Sequence, residues 1–174
     1  MKSKRIKKLL KDIYPYIIVV IVVILIRTFI ITPAIVDGPS MEPTLYDNNI
    51  VILNKLDYKL NDIKRFDIVV VNWNGEKIIK RVIGLPGEHV EYKDGNLYID
   101  GFLVEENFDH ESTNDFKLET IGYITIPGDK YFVVGDNRPE STDSRLGVGL
   151  VDKEDILGHA SIRIFPINEI NKIK

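Results

Sequence analysis

Residues 67–84 read DIVVVNWNGEKIIKRVIG. Two strand-like runs, Asp67–Trp73 and Lys77–Ile83, flank the pair Asn74-Gly75, and Asn-Gly between such runs is a turn signal. The same alternation of run and turn recurs outward from this stretch. Further runs lie at Ile50–Leu53, His89–Tyr92, Asn96–Ile99, Tyr123–Ile126, Lys130–Val134 and His159–Phe165. Pro86-Gly87, Asp94-Gly95, Asp100-Gly101 and Pro127-Gly128 punctuate them. After residue 32 no stretch keeps helical periodicity over ten positions. Glu105–Thr120 is polar, acidic and without pattern, which reads as a surface loop inside a small insertion around residues 95–125. The expected fold is mostly β, an antiparallel β-sheet domain over residues 32–174.

Ahead of that domain the chain changes character. Residues 1–12, MKSKRIKKLLKD, carry six Lys or Arg and one Asp, a net of +5. Residues 13–174 carry 17 basic and 25 acidic side chains, a net of −8, so the total of −3 hides a split. Ile13–Ile26, IYPYIIVVIVVILI, holds fourteen residues without a charge, and beyond Arg27 the apolar run resumes to Ile31. Nineteen residues of helix rise ~28 Å, close to the hydrocarbon thickness of a bilayer. A buried core helix would not be apolar on every face beside a basic flank. A cleaved secretory signal would use the fourteen-residue run, with Thr32-Pro33-Ala34 at the cut. A retained transmembrane anchor helix over 13–31 accounts for the full length. Arg27 can snorkel to one interface, and Tyr14 and Tyr16 suit the other. The positive-inside rule then leaves residues 1–12 as a cytoplasmic tail and the β domain outside the cell membrane, with the lipid bilayer as a partner.

At 174 residues with no cysteine, the chain supports one compact domain and no disulfide, thiolate nucleophile, Cys-ligated zinc or iron–sulfur cluster. No Gly-rich phosphate loop or cluster of metal ligands stands out, so neither a cofactor nor a metal is expected. The near-neutral charge gives no reason to expect nucleic acid as a partner.

A covalent nucleophile in such a chain is Ser or Thr. Ser40 lies in Asp37-Gly38-Pro39-Ser40-Met41-Glu42-Pro43-Thr44-Leu45, where two prolines and a glycine restrict the backbone. Such a path can present a hydroxyl and an adjacent N–H together, as acyl transfer requires, though a serine between prolines is also an ordinary turn. Lys80 shares a strand face with Ile78 and Val82, while Arg81 shares the other with Ile79 and Ile83. An ammonium on an apolar face is desolvated and becomes a usable base; the plainer alternative is a solvated edge-strand lysine. Gly135-Asp136-Asn137-Arg138-Pro139-Glu140-Ser141-Thr142-Asp143-Ser144-Arg145 gathers hydroxyls, carboxylates and guanidinium groups directly after a core strand. It can scaffold a catalytic amine or be a solvated loop or cation site; its carboxylate spacing is not that of an EF-hand.

Together these features resemble type I signal peptidases, membrane-bound serine proteases that remove signal peptides from exported proteins. Ser40-Met41-x-Pro43-Thr44 is similar to the family's nucleophile box, and Asp67-Ile68-Val69-Val70 to the strand that follows it. Lys80-Arg81-Val82-Ile83-Gly84-Leu85-Pro86-Gly87 is similar to the general-base box, and Gly135–Arg145 to the last box. The single anchor and small insertion resemble the Gram-positive branch.

The resemblance implies a Ser–Lys dyad: Ser40 attacks the scissile carbonyl, and neutral Lys80 takes its proton. It implies that Ser141 holds the Lys80 amine by a hydrogen bond, and that Asp143 pairs with Arg145 and Arg81. The Ser40 N–H would meet the oxyanion. Some members carry a hydroxyl donor two positions before the nucleophile; here that position is Gly38. Cleavage after small residues at the −3 and −1 positions is implied, with Val36, Met41, Leu45 and Ile79 as candidate pocket walls for the bound peptide. The peptide would lie extended beside residues 34–38 and 77–79. Signal-peptide-bearing preproteins are the implied substrates, and the secretion translocon a candidate neighbour. Two rival readings are a self-cleaving Ser–Lys protease of the stress-repressor type and a non-catalytic, membrane-tethered peptide-binding β module. A Ser-His-Asp protease would draw on His89, His110 or His159, none of which sits in a catalytic sequence context.

Overall fold

The computed structural model describes residues 2–56 and 61–173. From the N-terminus the regular elements are α1 (Lys2–Phe29), β1 (Ile31–Ile35), β2 (Ile50–Asn54), β3 (Ile68–Trp73) and β4 (Glu76–Gly84). A second group follows: β5 (Val90–Lys93), β6 (Asn96–Ile99), β7 (Phe102–Val104) and β8 (Phe116–Lys117). The chain closes with β9 (Lys130–Val134), β10 (Val151–Asp152), β11 (Ile156–Phe165) and β12 (Asn171–Lys172). Short 3₁₀ turns occupy Leu118–Ile121, Arg138–Glu140, Lys153–Asp155 and Ile167–Glu169. The antiparallel β fold matches the sequence expectation.

The described residues form two sheets. The larger runs β1-β2-β11-β3-β4-β9-β10, with β12 pairing β11, and the smaller runs β7-β6-β5-β8. The stretch at 67–84 is a hairpin in which Ile68 faces Arg81 and Trp73 faces Glu76 across the ladder. Asn74 and Gly75 take φ of 52° and 86°, the left-handed pair that a two-residue turn needs to follow the twist of its strands. Ile68, Val69, Val70 and Val71 are all buried because β3 has cores on both faces. Ile68 and Val70 join Val51, Leu53 and Ile79, while Val69 and Val71 join Val82, Val133 and Val151. Each such side chain contributes roughly 1.5–3 kcal/mol of burial. A third core, with Ile83, Tyr92, Leu97 and Phe132, ties the small sheet to the large one.

Several expectations change. The anchor was expected to reach Ile31, but α1 ends at Phe29 and Ile31 already pairs with Asn54 in β1. Pro33 favours the switch: its ring disfavours a helix through the preceding turn, though α1 accommodates Pro15, and it suits an edge strand, where its missing N–H is not needed. Among the described residues no helix is long and apolar enough to cross a membrane. Lys11, Asp12 and Arg27 leave α1 an uncharged stretch of only fourteen residues, Ile13–Ile26, which rises ~21 Å. Most of that stretch is nevertheless exposed. Met1 of the basic tail and the side chains of residues 2–10 lie outside the described residues.

Tyr123–Ile126 is not a strand. Ile126 exchanges backbone hydrogen bonds with Gly87 (2.7 Å) and Glu88 (2.9 Å), bracing the Pro86-Gly87 turn instead of a ladder. Nor is Glu105–Thr120 simply a surface loop: Thr113, Phe116 and Leu118 are buried in it, and Phe116–Lys117 forms β8.

Candidate active site

Ser40 lies in the connection between β1 and β2, a loop closed by its own backbone. Val36 exchanges bonds with Asn48 and Asn49 (3.0 and 2.9 Å), Glu42 N–H donates to Pro39 O (3.0 Å), and Leu45 N–H donates to Met41 O (2.8 Å). Gly38 has φ +80°, a region that strains side chains, and its N–H donates to Asp47 Oδ1 at 2.9 Å. The tight bend therefore accounts for glycine where a hydroxyl donor could otherwise stand. Met41 and Leu45 anchor the loop below, both with 0% exposed surface.

Lys80 projects from β4 toward this loop, and its Nζ donates a hydrogen bond to Ser40 Oγ at 2.7 Å. The residue is 3% exposed. Burial is the largest influence on its titration: it pulls the ammonium down to about 8, against the attraction of Asp143 and Asp136 and with help from Arg145. Near neutral pH a small fraction of the amine, on the order of a tenth, is thus free to accept a proton.

Arg81, the next residue, points to the opposite face, as strand alternation requires. Its partner differs from the expected one. Arg81 Nε and Nη2 donate to Asp136 Oδ1 and Oδ2 at 2.9 and 2.7 Å, with both side chains 0% exposed. Asp143 instead holds Arg145 by a fork of 2.9 and 2.7 Å, and its Oδ2 accepts the Gly135 N–H at 3.1 Å. The correction has a geometric cause: both Asp143 oxygens are already taken by Arg145 and the Gly135 N–H, whereas Asp136 lies beside Arg81, where Thr44 Oγ1 also donates to it at 2.6 Å.

Ser141 departs from expectation too. Its Oγ is buried and makes no hydrogen bond among the described residues, so the expected bond to Lys80 is not formed. It packs on Gly135, where a Cβ would stand 2.3 Å from both Ser141 Oγ and the Ser40 carbonyl oxygen. Glycine is required there because Ser40 and Ser141 close on the same backbone atom. An unpaired buried hydroxyl contributes no stability, so Ser141→Ala is expected to leave the melting temperature unchanged or slightly raised, as calorimetry would show.

Other residues that hold the site were not singled out from sequence. Asn137 clamps the Ser40 loop: its N–H donates to Ser40 O and its Nδ2 to Pro39 O, both at 3.2 Å. Arg138 donates to Gly135 O at 3.1 Å and is ion-paired to Glu106. The signal for Asp136, Asn137 and Arg138 was their place in one dense polar turn; nothing in Glu105–Thr120 pointed to Glu106. Of the expected pocket walls, Met41 and Leu45 have no accessible surface and serve as core, while Val36 and Ile79 keep 3% and 8%. His89 Nε2 lies 3.1 Å from Glu119, and His110 Nδ1 bonds the Glu111 carbonyl at 2.8 Å. His159 sits within β11, opposite Asn54 and Val69. Among the described residues no group of His, Asp or Glu could hold a metal ion.

Comparison with known proteins places this geometry in context. The model of the family described as "Signal peptidase, peptidase S26" matches residues 9–165. A signal peptidase I of Bacillus amyloliquefaciens is 44% identical over 166 residues, covering 91% of this chain and 89% of that protein. Signal peptidase I S of Bacillus subtilis strain 168 is 40% identical, with 99% of each chain covered. The crystal structure of a signal peptidase I from Enterococcus faecalis V583 superposes with a TM-score of 0.52 at 41% identity, covering 57% of this chain and 97% of that one.

Proposed function

The chain belongs to the signal peptidase family, peptidase S26, and from that premise we propose that it removes signal peptides from preproteins with Ser40 as nucleophile and Lys80 as general base. The observation that carries the assignment is the 2.7 Å hydrogen bond between a buried Lys80 amine and Ser40 Oγ. Neutral Lys80 takes the Ser40 proton as Oγ adds to the scissile carbonyl. The resulting ammonium gives that proton to the leaving amine, and an acyl-enzyme on Ser40 remains. Water then attacks the ester with Lys80 again as base, and the proton returns to Ser40 Oγ on release.

Asp143 and Arg145 set the potential at Lys80, while Arg81 and Asp136 brace the other face of β4. The Ser40 N–H is the oxyanion donor in this reading. In this reading Val36 and Ile79, buried with 3% and 8% of their surface left, limit the room beside Ser40 and Lys80, so that large side chains at −1 and −3 are excluded by clash more than by attraction. Residues 34–38 and 77–79 offer the extended peptide its backbone partners.

Residues 13–29 act in this reading as a single membrane anchor, with residues 1–12 cytoplasmic and the β domain outside, near the translocon. Supporting it are the exposed apolar residues from Ile13 to Ile26 and a site only nine residues beyond Ile31, within ~30 Å of the membrane when extended.

The test is cleavage of a signal-bearing precursor by detergent-solubilised protein, wild type beside Ser40→Ala. Wild type is expected to release the mature chain and Ser40→Ala to release none. Equal cutting by both, or none by wild type, sinks the assignment.

A further inference from the structure

The segment between β7 and β8, which reads as a patternless acidic loop, is built onto the turn that follows β9. Glu106 accepts from Arg138 Nη2 at 2.5 Å and Nη1 at 3.4 Å, with the two side chains 5% and 1% exposed. Thr113 Oγ1 is a further acceptor for Arg138 Nη1, and Thr113 is itself buried. The Glu111 N–H donates to Asp136 O at 2.9 Å. The Phe108 ring lies 3.9 Å from Arg81 Cζ. One strap therefore grips Asp136 and Arg138 and covers Arg81. Arg138 passes the constraint on: its Nε donates to Gly135 O at 3.1 Å, and its carbonyl accepts from Arg145 Nη2 at 2.8 Å. Gly135 is the residue on which the Ser40 carbonyl and Ser141 close.

We infer that Glu106 is a positioning residue, acting through Arg138 to hold Gly135 and with it the Ser40–Lys80 geometry. A solvated loop has no need of a carboxylate buried against a guanidinium, because each charge must be stripped of water to be placed there. The return is a fixed guanidinium that leaves the Gly135 peptide one position to adopt. Reaction geometry is sensitive enough to use that: a displacement of about 1 Å at the reacting atoms can cost ~10²-fold in rate. The inference rests on the Ser40–Lys80 assignment.

The experiment measures kcat, KM and melting temperature for full-length, detergent-solubilised Glu106→Gln, Arg138→Met, the double variant and Glu106→Asp on a signal-bearing precursor. Glu106→Gln and Arg138→Met are each expected to lower kcat at least ~10-fold with KM within about two-fold of wild type. The double variant is expected to be no worse than Arg138→Met alone, and Glu106→Asp to recover part of the loss. Thr113→Val, which orphans no charge, is expected to lower kcat in the same direction by a smaller factor. That variant decides the matter should the charge variants fail to fold. A kcat within two-fold of wild type in Glu106→Gln overturns the inference even if its melting temperature falls. So do losses that multiply in the double variant, or an unchanged kcat in Thr113→Val where it alone can be read. Ser40→Ala run alongside separates the two levels: cleavage that survives it removes the dyad assignment itself, whatever Glu106 does.

Discussion

Lys80→Met is expected to abolish cleavage, by on the order of 10⁴-fold or more, and yet to stabilise the domain below pH 8. The amine is lowered from 10.5 to about 8 chiefly by burial, so the folded state resists its charged form. Between those two values the unfolded chain holds a proton that the folded chain lacks, and wild-type stability therefore rises with pH across that window. The gain across the window is about 3 kcal/mol, which is the burden the buried ammonium imposes at pH 7. Methionine fills the space of the lysine stem as far as Cε and carries no charge, so the variant should lack this pH dependence and exceed wild type at neutral pH. No carboxylate is orphaned by the change, since Asp143 keeps Arg145 and Asp136 keeps Arg81. Unfolding followed at pH 6.5 and 9.5 tests the stability claim; a variant less stable than wild type at pH 6.5 refutes it. On the same grounds wild-type kcat/KM should rise with pH and level off above about 8, as the neutral amine becomes the dominant form.

Asp136→Ala is expected to cost ~3–5 kcal/mol of stability, the usual result of stranding one member of a buried ion pair. Arg81 would be left charged with no exposed surface and no carboxylate, keeping the Phe66 carbonyl (2.9 Å), a long contact to Thr44 Oγ1 (3.4 Å) and the face of the Phe108 ring. Domains of this kind have roughly 5–15 kcal/mol in total, so a large share is lost and activity falls with the folded fraction. Asp143→Ala should cost less, because Arg145 is nearer the surface, with 7% of its side chain exposed. Thermal unfolding of both variants, together with an Arg81→Met/Asp136→Leu double variant, checks the pairing. The double variant should recover much of the Asp136→Ala loss. If Arg81 instead couples to Asp143 in a double-mutant cycle, the pairing described above is wrong.

The main hairpin could be read directly because Asn74-Gly75 and the flanking β-branched runs encode a local event, and local pattern suffices for local structure. Ser40, Lys80, Asp143 and Arg145 could be read as candidates through the resemblance. The opposite orientation of Lys80 and Arg81 followed from strand alternation alone. What failed was partner choice. Asp136 and Asp143 stand seven positions apart in one polar turn, and no periodicity governs an irregular turn, so sequence could not say which carboxylate takes Arg81. Tyr123–Ile126 was misread because an apolar run between turns looks the same whether it joins a ladder or braces a neighbouring turn.

By itself the sequence determined the β character, the charge split between residues 1–12 and the rest, and the absence of any thiol. Each depends on composition or on neighbours in the chain. Tertiary structure alone decided that Lys80 meets Ser40 across forty residues, that Asp136 takes Arg81, and that Glu106 reaches Arg138. Those pairings depend on how β4, β9 and the segment after β7 are brought together around shared cores. Buried charges take whichever partner lies within hydrogen-bond reach once water is gone, and only the folded chain sets that reach.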